Sequence, residues 1–484
     1  MSVRFTRQEQ IAQLGSAEIF DLIVIGGGAS GLGIALEAIT RGYSVVLLEL
    51  CDFAKGTSSK STKLVHGGVR YLAQGNLQLV REASIERAIL LKNAPHLVKN
   101  TSFLLPVYSI WEQLKYSIGL KLYSWIAGKY SLASSHYINK EQTLQRMPAI
   151  KSKNLRGSIQ YQDGQFDDAR LSLNLAQSIV ARGGIALNYF RVTGLTKNEN
   201  GHINAVDAVD VISNVTYSLK AKAVVNATGV FANEIQQMDG SGEPLQLRFS
   251  QGVHVVLDKS FFPSSQALMI PKTSDGRVLF AVPWHKKVVL GTTDTPVQHA
   301  LPEPIALEEE IDFILKTAAQ YLTKAPARQD VLSVFAGLRP LAAAGKGSEK
   351  TKEISRSHKI EISPSQLFTM IGGKWTTYRK MGEDMIDAIE QHLKWRSTLS
   401  MTAQIPLYGA TPDVDFNDDF YFYGADKVIL EQRMLESSLS WLSMSMKLHA
   451  EQVVWAVEHE MAMTVEDVLA RRTRLLFLNA REAR

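Results

Sequence analysis

The sequence predicts an α/β protein built on a dinucleotide-binding parallel sheet, with a second strand-rich region and a helical C-terminal part. Three observations carry this. A β-branched run at 21–25 feeds into Gly26, Gly28 and Gly31 and then into a helical pattern. Strand-like and helix-like segments alternate along the chain. After residue 397 the texture changes to a polar linker, 412–419, and a mostly helical tail, 425–484.

The elements follow in order. Leu22, Ile23, Val24 and Ile25 read as a buried strand. Leu32, Ala35, Leu36 and Ile39 recur at helical spacing as far as Gly42, and 44–48 is a second strand ending at Glu49. This is a βαβ unit, which requires a parallel pair. Further strands are predicted at 223–226, 288–290, 331–335 and 367–371. Helices are predicted at 77–93, 169–182, 307–322 and 376–393, each with apolar residues at three-to-four spacing. The stretch 245–335 is rich in strands and turns and predicts a separate sheet.

Composition narrows the function classes. With 484 residues, 45% apolar and 21% charged, the chain is globular and long enough for several domains. A net charge of +5 is too weak to imply nucleic acid, but it suits an anionic substrate or membrane surface. The single cysteine, Cys51, excludes an intrachain disulfide and cysteine-based zinc sites, and no metal site is predicted. Residues 1–13 are charged and predict no secretory signal. The longest uncharged stretch, 22–36, contains five glycines and is too short to span a bilayer. The expected setting is a reducing compartment, with the protein soluble or held on a membrane surface.

The glycines have separate tasks. Gly26 permits the tight turn, Gly28 lets backbone approach a pyrophosphate, and Gly31 allows close helix packing. Unpaired N–H groups at the helix start, around Ser30, then face the phosphate charge. Glu49 stands where an acid accepts hydrogen bonds from an adenosine ribose. FAD and NAD both fit this half-site. No second such glycine unit follows, so one dinucleotide is expected.

Other motifs extend the pattern. Gly56 to Leu64 (with Thr57, Ser58, Ser59, Ser61, Thr62 and Lys63) precedes His66, Gly67, Gly68, Val69, Arg70 and Tyr71. Asn226, Ala227, Thr228 and Gly229 end an apolar strand. Gly252-Val253-His254, Gly291-Thr292-Thr293-Asp294, Gly337-Leu338-Arg339-Pro340 and Gly372-Gly373-Lys374-Trp375-Thr376 follow. In this order the motifs over about 21–395 resemble the FAD-dependent glycerol-3-phosphate dehydrogenases, within the D-amino-acid-oxidase-like flavoproteins. The tail, with Arg471-Arg472-Thr473, resembles that family's helical C-terminal domain.

The resemblance implies an FAD-binding Rossmann-like domain interleaved with a mainly antiparallel substrate domain. The FAD-dependent region would cover 1–398, with cofactor segments at about 18–95, 150–235 and 335–398 and substrate segments at about 96–149 and 236–334. Residues 399–484 would form the helical domain. The hydroxyl-rich loop, Leu64, Gly67, Gly68, Ala227 to Gly229 and Gly373 to Thr376 would hold FAD. Backbone N–H groups at Gly372 and Gly373 would stabilise charge on the flavin N1–O2 edge.

Oxidising a secondary alcohol needs a base, a cation for the developing alkoxide and, for a phosphorylated substrate, further cations. The resemblance implies His254 as base, with His285 as a weaker alternative, and Arg339 near the reacting carbon at the end of the strand 331–335. Arg70, Tyr71, Arg356 and Lys374 would bind phosphate. The reaction implied is oxidation of sn-glycerol 3-phosphate to dihydroxyacetone phosphate. With no nicotinamide, haem or Fe–S pattern present, the electrons would pass to quinone or oxygen, and the resemblance implies ubiquinone or menaquinone. Residues 103–130 mix aromatic, aliphatic and basic side chains as an interfacial anchor does, from Phe103 through Trp111 and Trp125 to Tyr130. A peripheral enzyme on the inner face of the cytoplasmic membrane, as a homodimer, is expected. The alternatives are a soluble glycerol-3-phosphate oxidase making hydrogen peroxide, an amine- or amino-acid-oxidising flavoenzyme, and a flavin sensor without turnover.

Overall fold

Apolar β-branched runs form the first sheet. In this computed structural model, which describes residues 5–68, 76–242, 245–271, 273, 276–342 and 358–484, Phe20–Ile25 lies at the sheet's centre. It pairs in parallel with Val45–Leu48 on one side and Thr216–Asn226 on the other, and Leu367–Ile371 and Ile185–Leu187 extend the parallel set. Lys359–Ile362 closes one edge antiparallel. The helices Ala29–Thr40, Asp168–Val180 and Tyr378–Leu393 cover one face, and their apolar sides join the largest core cluster.

The second sheet is mostly antiparallel. Its centre is Leu247–Asp258, flanked by Lys287–Gly291 and Val331–Ala342. Val98–Val107 joins it from the expected substrate segment 96–149, and Gly157–Phe166 joins it from beyond that segment. The crossings between sheets therefore lie beyond Phe166 and Ala342 rather than at 150 and 335. Val331–Ala342 also runs past the predicted end at Phe335, so Arg339 sits inside the strand, paired with Ser250. Pro340 is tolerated there opposite Phe249.

The helices Leu77–Asn93 and Glu308–Tyr321 fall where the periodicity puts them. The 103–130 segment divides. Phe103, Leu104 and Leu105 belong to a buried strand, and the amphipathic part is the helix Ile110–Ala127. The tail contains Lys427–Glu436 and Ala450–His459, and then a π-helical turn, Asp467–Arg472.

Candidate active site

A cavity of about 820 Å³ is walled by residues of both sheets. At one end the strand Phe20–Ile25 turns into the helix Ala29–Thr40. Gly26 has φ +110°, and a Cβ there would stand 2.7 Å from the Ala227 carbonyl oxygen, so only glycine fits. The Ala29 N–H donates to Ser58 Oγ at 2.9 Å, tying the helix start to the hydroxyl-rich loop. Glu49 accepts from the Gly27 N–H at 2.6 Å and the Cys51 N–H at 2.9 Å, which fixes its carboxylate at the wall. Trp375 Nε1 donates to the Ser58 carbonyl at 2.7 Å and knits the loop to the 372–376 turn. Gly372 and Gly373 are both left-handed, with φ 74° and 93°.

The other end is built on the second sheet. His254, Gly291 and Phe335 stand in one row across three strands. Phe335 stacks on the imidazole with ring centres 4.8 Å apart. Gly291 offers a bare backbone on the other side, where a Cβ would come within 2.2 Å of His254 Cδ2. Gly252 does the same for Arg339, whose guanidinium a Cβ would meet at 2.2 Å. Arg339 donates to Thr292 Oγ1 at 3.0 Å and to the Thr293 carbonyl at 3.3 Å, and it pairs with Asp294 at 3.4 Å.

Beneath the base lies a buried ionic cluster. Lys63 Nζ donates to Asp168 at 2.6 Å and to the Ser59 carbonyl at 2.7 Å, under the faces of Trp284 and Phe335. Arg474, from the tail, donates to Asp168 at 3.0 Å. Burial pulls the Lys63 ammonium down to about 8, with Arg474 adding to the pull against Asp168. Burial, then Lys63 and Arg339, hold the His254 imidazole well below its ordinary range, so it rests neutral. Arg471 and Arg472 both grip Asp52, a few residues ahead of the hydroxyl-rich loop, and all three side chains are buried.

The family model described as FAD dependent oxidoreductase matches residues 21–362. A second, the C-terminal domain of alpha-glycerophosphate oxidase, matches 420–484. The probable mitochondrial glycerol-3-phosphate dehydrogenase of Caenorhabditis elegans is 39% identical over 98% of this chain and 70% of its own length. The human mitochondrial glycerol-3-phosphate dehydrogenase is 38% identical over 99% of this chain and 70% of its own length. The chain belongs to the FAD-dependent glycerol-3-phosphate dehydrogenase family. The solved glycerol-3-phosphate dehydrogenase of Bacillus halodurans, complexed with FAD, superposes with a TM-score of 0.78 at 33% identity, covering 98% of this chain and 89% of that one. An FAD-bound L-alpha-glycerophosphate oxidase from Mycoplasma pneumoniae shares the fold, at TM-score 0.61 and 17% identity over 80% of this chain and 97% of that one.

FAD is the cofactor of this family, and the residues present fit it. The volume lies within the range of about 300–1,000 Å³ typical of ligand cavities, and the cavity touches both glycine turns. Gly26, Gly28, Ser30, Glu49, Thr57, Ser58 and Ser61 line it around the first glycine turn and would hold the pyrophosphate and adenosine parts. Leu64, Ala227, Thr228, Gly229, Gly373, Lys374, Trp375 and Thr376 line it too, as do His254 and Arg339.

Five predicted cofactor residues do not line the cavity, Gly31 among them in the packing role expected of it. A Cβ on Gly31 would be 1.8 Å from the Gly26 carbonyl oxygen, so Gly31 serves packing. Lys63 turns its ammonium inward to Asp168, and the Ser59 carbonyl accepts from it. Gly67 packs against Tyr123 and gives its N–H to Asp163, and Gly68 follows it in a left-handed turn. His285 is off the cavity, held by Asp167 at 3.2 Å and stacked on Tyr421. Arg70, Tyr71 and Arg356 lie outside the described residues. Sequence reasoning did not single out the wall formed by Phe190, Arg191, Phe231 and Glu234. These residues carry no local signal and reach the cavity through the ends of the first sheet.

Proposed function

We propose that the protein oxidises sn-glycerol 3-phosphate to dihydroxyacetone phosphate and passes the electrons to a membrane quinone. The observation that carries the chemistry is the convergence of His254, Arg339 and Lys374 on the cavity that also takes in both glycine turns. FAD, when bound, supplies a hydride acceptor at N5. A neutral imidazole at His254 accepts the hydroxyl proton. The Arg339 guanidinium stabilises the oxygen as charge develops on it, and its contacts with Thr292, Thr293 and Asp294 hold it in place beforehand. Lys374 supplies positive charge for the phosphate. The names of the relatives support the same substrate.

The helix Ile110–Ala127 supports the membrane half. Trp111 is 79% and Trp125 78% exposed, and Ile110, Leu114 and Ile118 are also exposed. This stripe recurs at helical spacing and is interleaved with Lys115 and Lys121, the texture of a helix lying in a lipid interface. Among the described residues no helix is long and apolar enough to cross a membrane.

The test is anaerobic addition of glycerol 3-phosphate to the purified yellow protein. Bleaching of the flavin, followed by steady turnover with a soluble quinone and little peroxide in air, is expected. An unbleached spectrum overturns the substrate assignment. Rapid peroxide formation in air overturns the quinone and favours an oxidase. Failure to pellet with anionic vesicles at low salt overturns the membrane half.

A further inference from the structure

His254 is almost sealed. Its exposure is 2%, and its Nδ1 is buried with no hydrogen-bond partner among the described residues. Phe335 covers one side of the ring and Gly291 the other. Among the described residues the single polar contact of the imidazole is at Nε2, which meets Thr62 Oγ1 at 2.9 Å. Thr62 lines the cavity and is partly exposed to it. Both residues line the cavity, and the Thr62 hydroxyl occupies the Nε2 position through which the imidazole would take up a proton.

Both neighbours of Thr62 are pinned. Ser61 Oγ donates to Asp168 at 2.6 Å, and Lys63 Nζ donates to the same carboxylate oxygen at 2.6 Å. The Lys63 N–H closes the loop on Ser61 Oγ at 3.0 Å. Arg474 holds the other carboxylate oxygen at 3.0 Å. The backbone at Thr62 is thus fixed from both sides, and its β-branched side chain has few rotamers left. That is preorganisation of a hydroxyl at a point where a proton has to pass.

We propose that Thr62 is a catalytic residue whose hydroxyl relays the proton from the substrate's secondary alcohol to His254 Nε2. This rests on the alcohol-oxidation reading above. The substrate O–H bond breaks and an O–H bond forms on Thr62 Oγ1. The original Thr62 O–H bond breaks and an N–H bond forms on Nε2, giving an imidazolium. The substrate C–H pair departs as hydride to the flavin oxidant, and the C–O bond becomes C=O. Thr62 ends as it began. The relay uses the tautomer with its proton on Nδ1, so that the Nε2 lone pair faces the hydroxyl.

The experiment is anaerobic stopped-flow bleaching with glycerol 3-phosphate in the wild type, Thr62→Val and Thr62→Ser holoenzymes, with flavin content and half-saturating substrate measured alongside. Thr62→Val keeps the shape and loses the hydroxyl. Its limiting rate is expected to fall by about 100-fold, within the usual worth of acid–base catalysis. Flavin content and half-saturation should change little, and Thr62→Ser should recover to within about tenfold of wild type. A Thr62→Val rate close to wild type, or a serine variant no faster than the valine one, overturns the relay. If Thr62→Val does not retain flavin, the wild-type rate in mixtures of light and heavy water decides. A relay moves two protons and bows the plot, whereas a straight line overturns it. A wild type that does not bleach at all refutes the alcohol-oxidation reading instead.

Discussion

Replacing Gly291 by alanine tests the seating of the base. The new methyl would lie 2.2 Å from His254 Cδ2, where ordinary contact begins at 3.4 Å. The imidazole must therefore retreat by roughly an ångström in a close-packed interior. It has little room to do so, because Phe335 is stacked on it at 4.8 Å and is itself backed by Phe477 at 4.9 Å. A displacement of about 1 Å in a catalytic group costs ~10²-fold in rate, or about 2.7 kcal/mol of barrier. Overpacking alone should cost about 1–3 kcal/mol of stability. The assay is the limiting rate of anaerobic flavin bleaching, with flavin content as control. Flavin content should hold, because His254 lies on the second sheet, away from the Gly26 turn. A Gly291→Ala enzyme that bleaches within threefold of wild type would refute the reasoning.

The remaining expectations follow from named contacts. Gly31→Ala puts a methyl 1.8 Å from a backbone oxygen that cannot move aside, so the protein should purify colourless and gain no thermal stability from added FAD; a fully yellow variant would count against it. Asp52→Asn leaves Arg472 buried without a carboxylate among the described residues, while Arg471 keeps Asp467 and Glu466, and should cost about 3–5 kcal/mol in denaturant unfolding. Burial works to raise the Asp52 carboxyl, but Arg472 and Arg471 outweigh it and hold the group below its usual range. Its contribution is therefore complete above about pH 3.9 and is lost as pH falls through the lowered folded value, so the gap between variant and wild type should be flat at neutral pH and close only in strong acid. Trp111→Glu with Trp125→Glu should abolish vesicle pelleting while flavin bleaching by glycerol 3-phosphate continues at the wild-type rate.

The legible parts of the chain are those whose cause is local. The Gly26–Gly31 turn, Glu49 eighteen residues beyond it and the helix Leu77–Asn93 are each set by residues within a few turns of chain. Lys63 was assigned to the cofactor with the rest of its hydroxyl-rich loop, because its partner Asp168 is 105 residues away and leaves no local mark. Nothing in the sequence couples Arg471, Arg472 and Arg474 to Asp52 or Asp168 across more than 300 residues. The 103–130 segment shows a different failure: a strand with two buried faces and a helix with one exposed face were run together because both are apolar and aromatic. The row of His254, Gly291 and Phe335 needs strand register, which period alone does not supply.

The central strand has one neighbour close by and one far away. Phe20–Ile25 meets Val45–Leu48 after a single helix, but its other flank waits for Thr216–Asn226, and that strand in turn waits for Leu367–Ile371. Closing such long loops adds little to the equilibrium cost, about 0.6 kcal/mol per doubling of length, but it slows folding considerably. The Gly26 turn is built from neighbouring chain, whereas the cavity it opens onto needs Thr216–Asn226 and Leu367–Ile371 as well. A prosthetic group that binds only the finished cavity then draws the last steps forward by mass action. Loss of the flavin would therefore withdraw a stabilising contribution from all of these chain-distant segments at once.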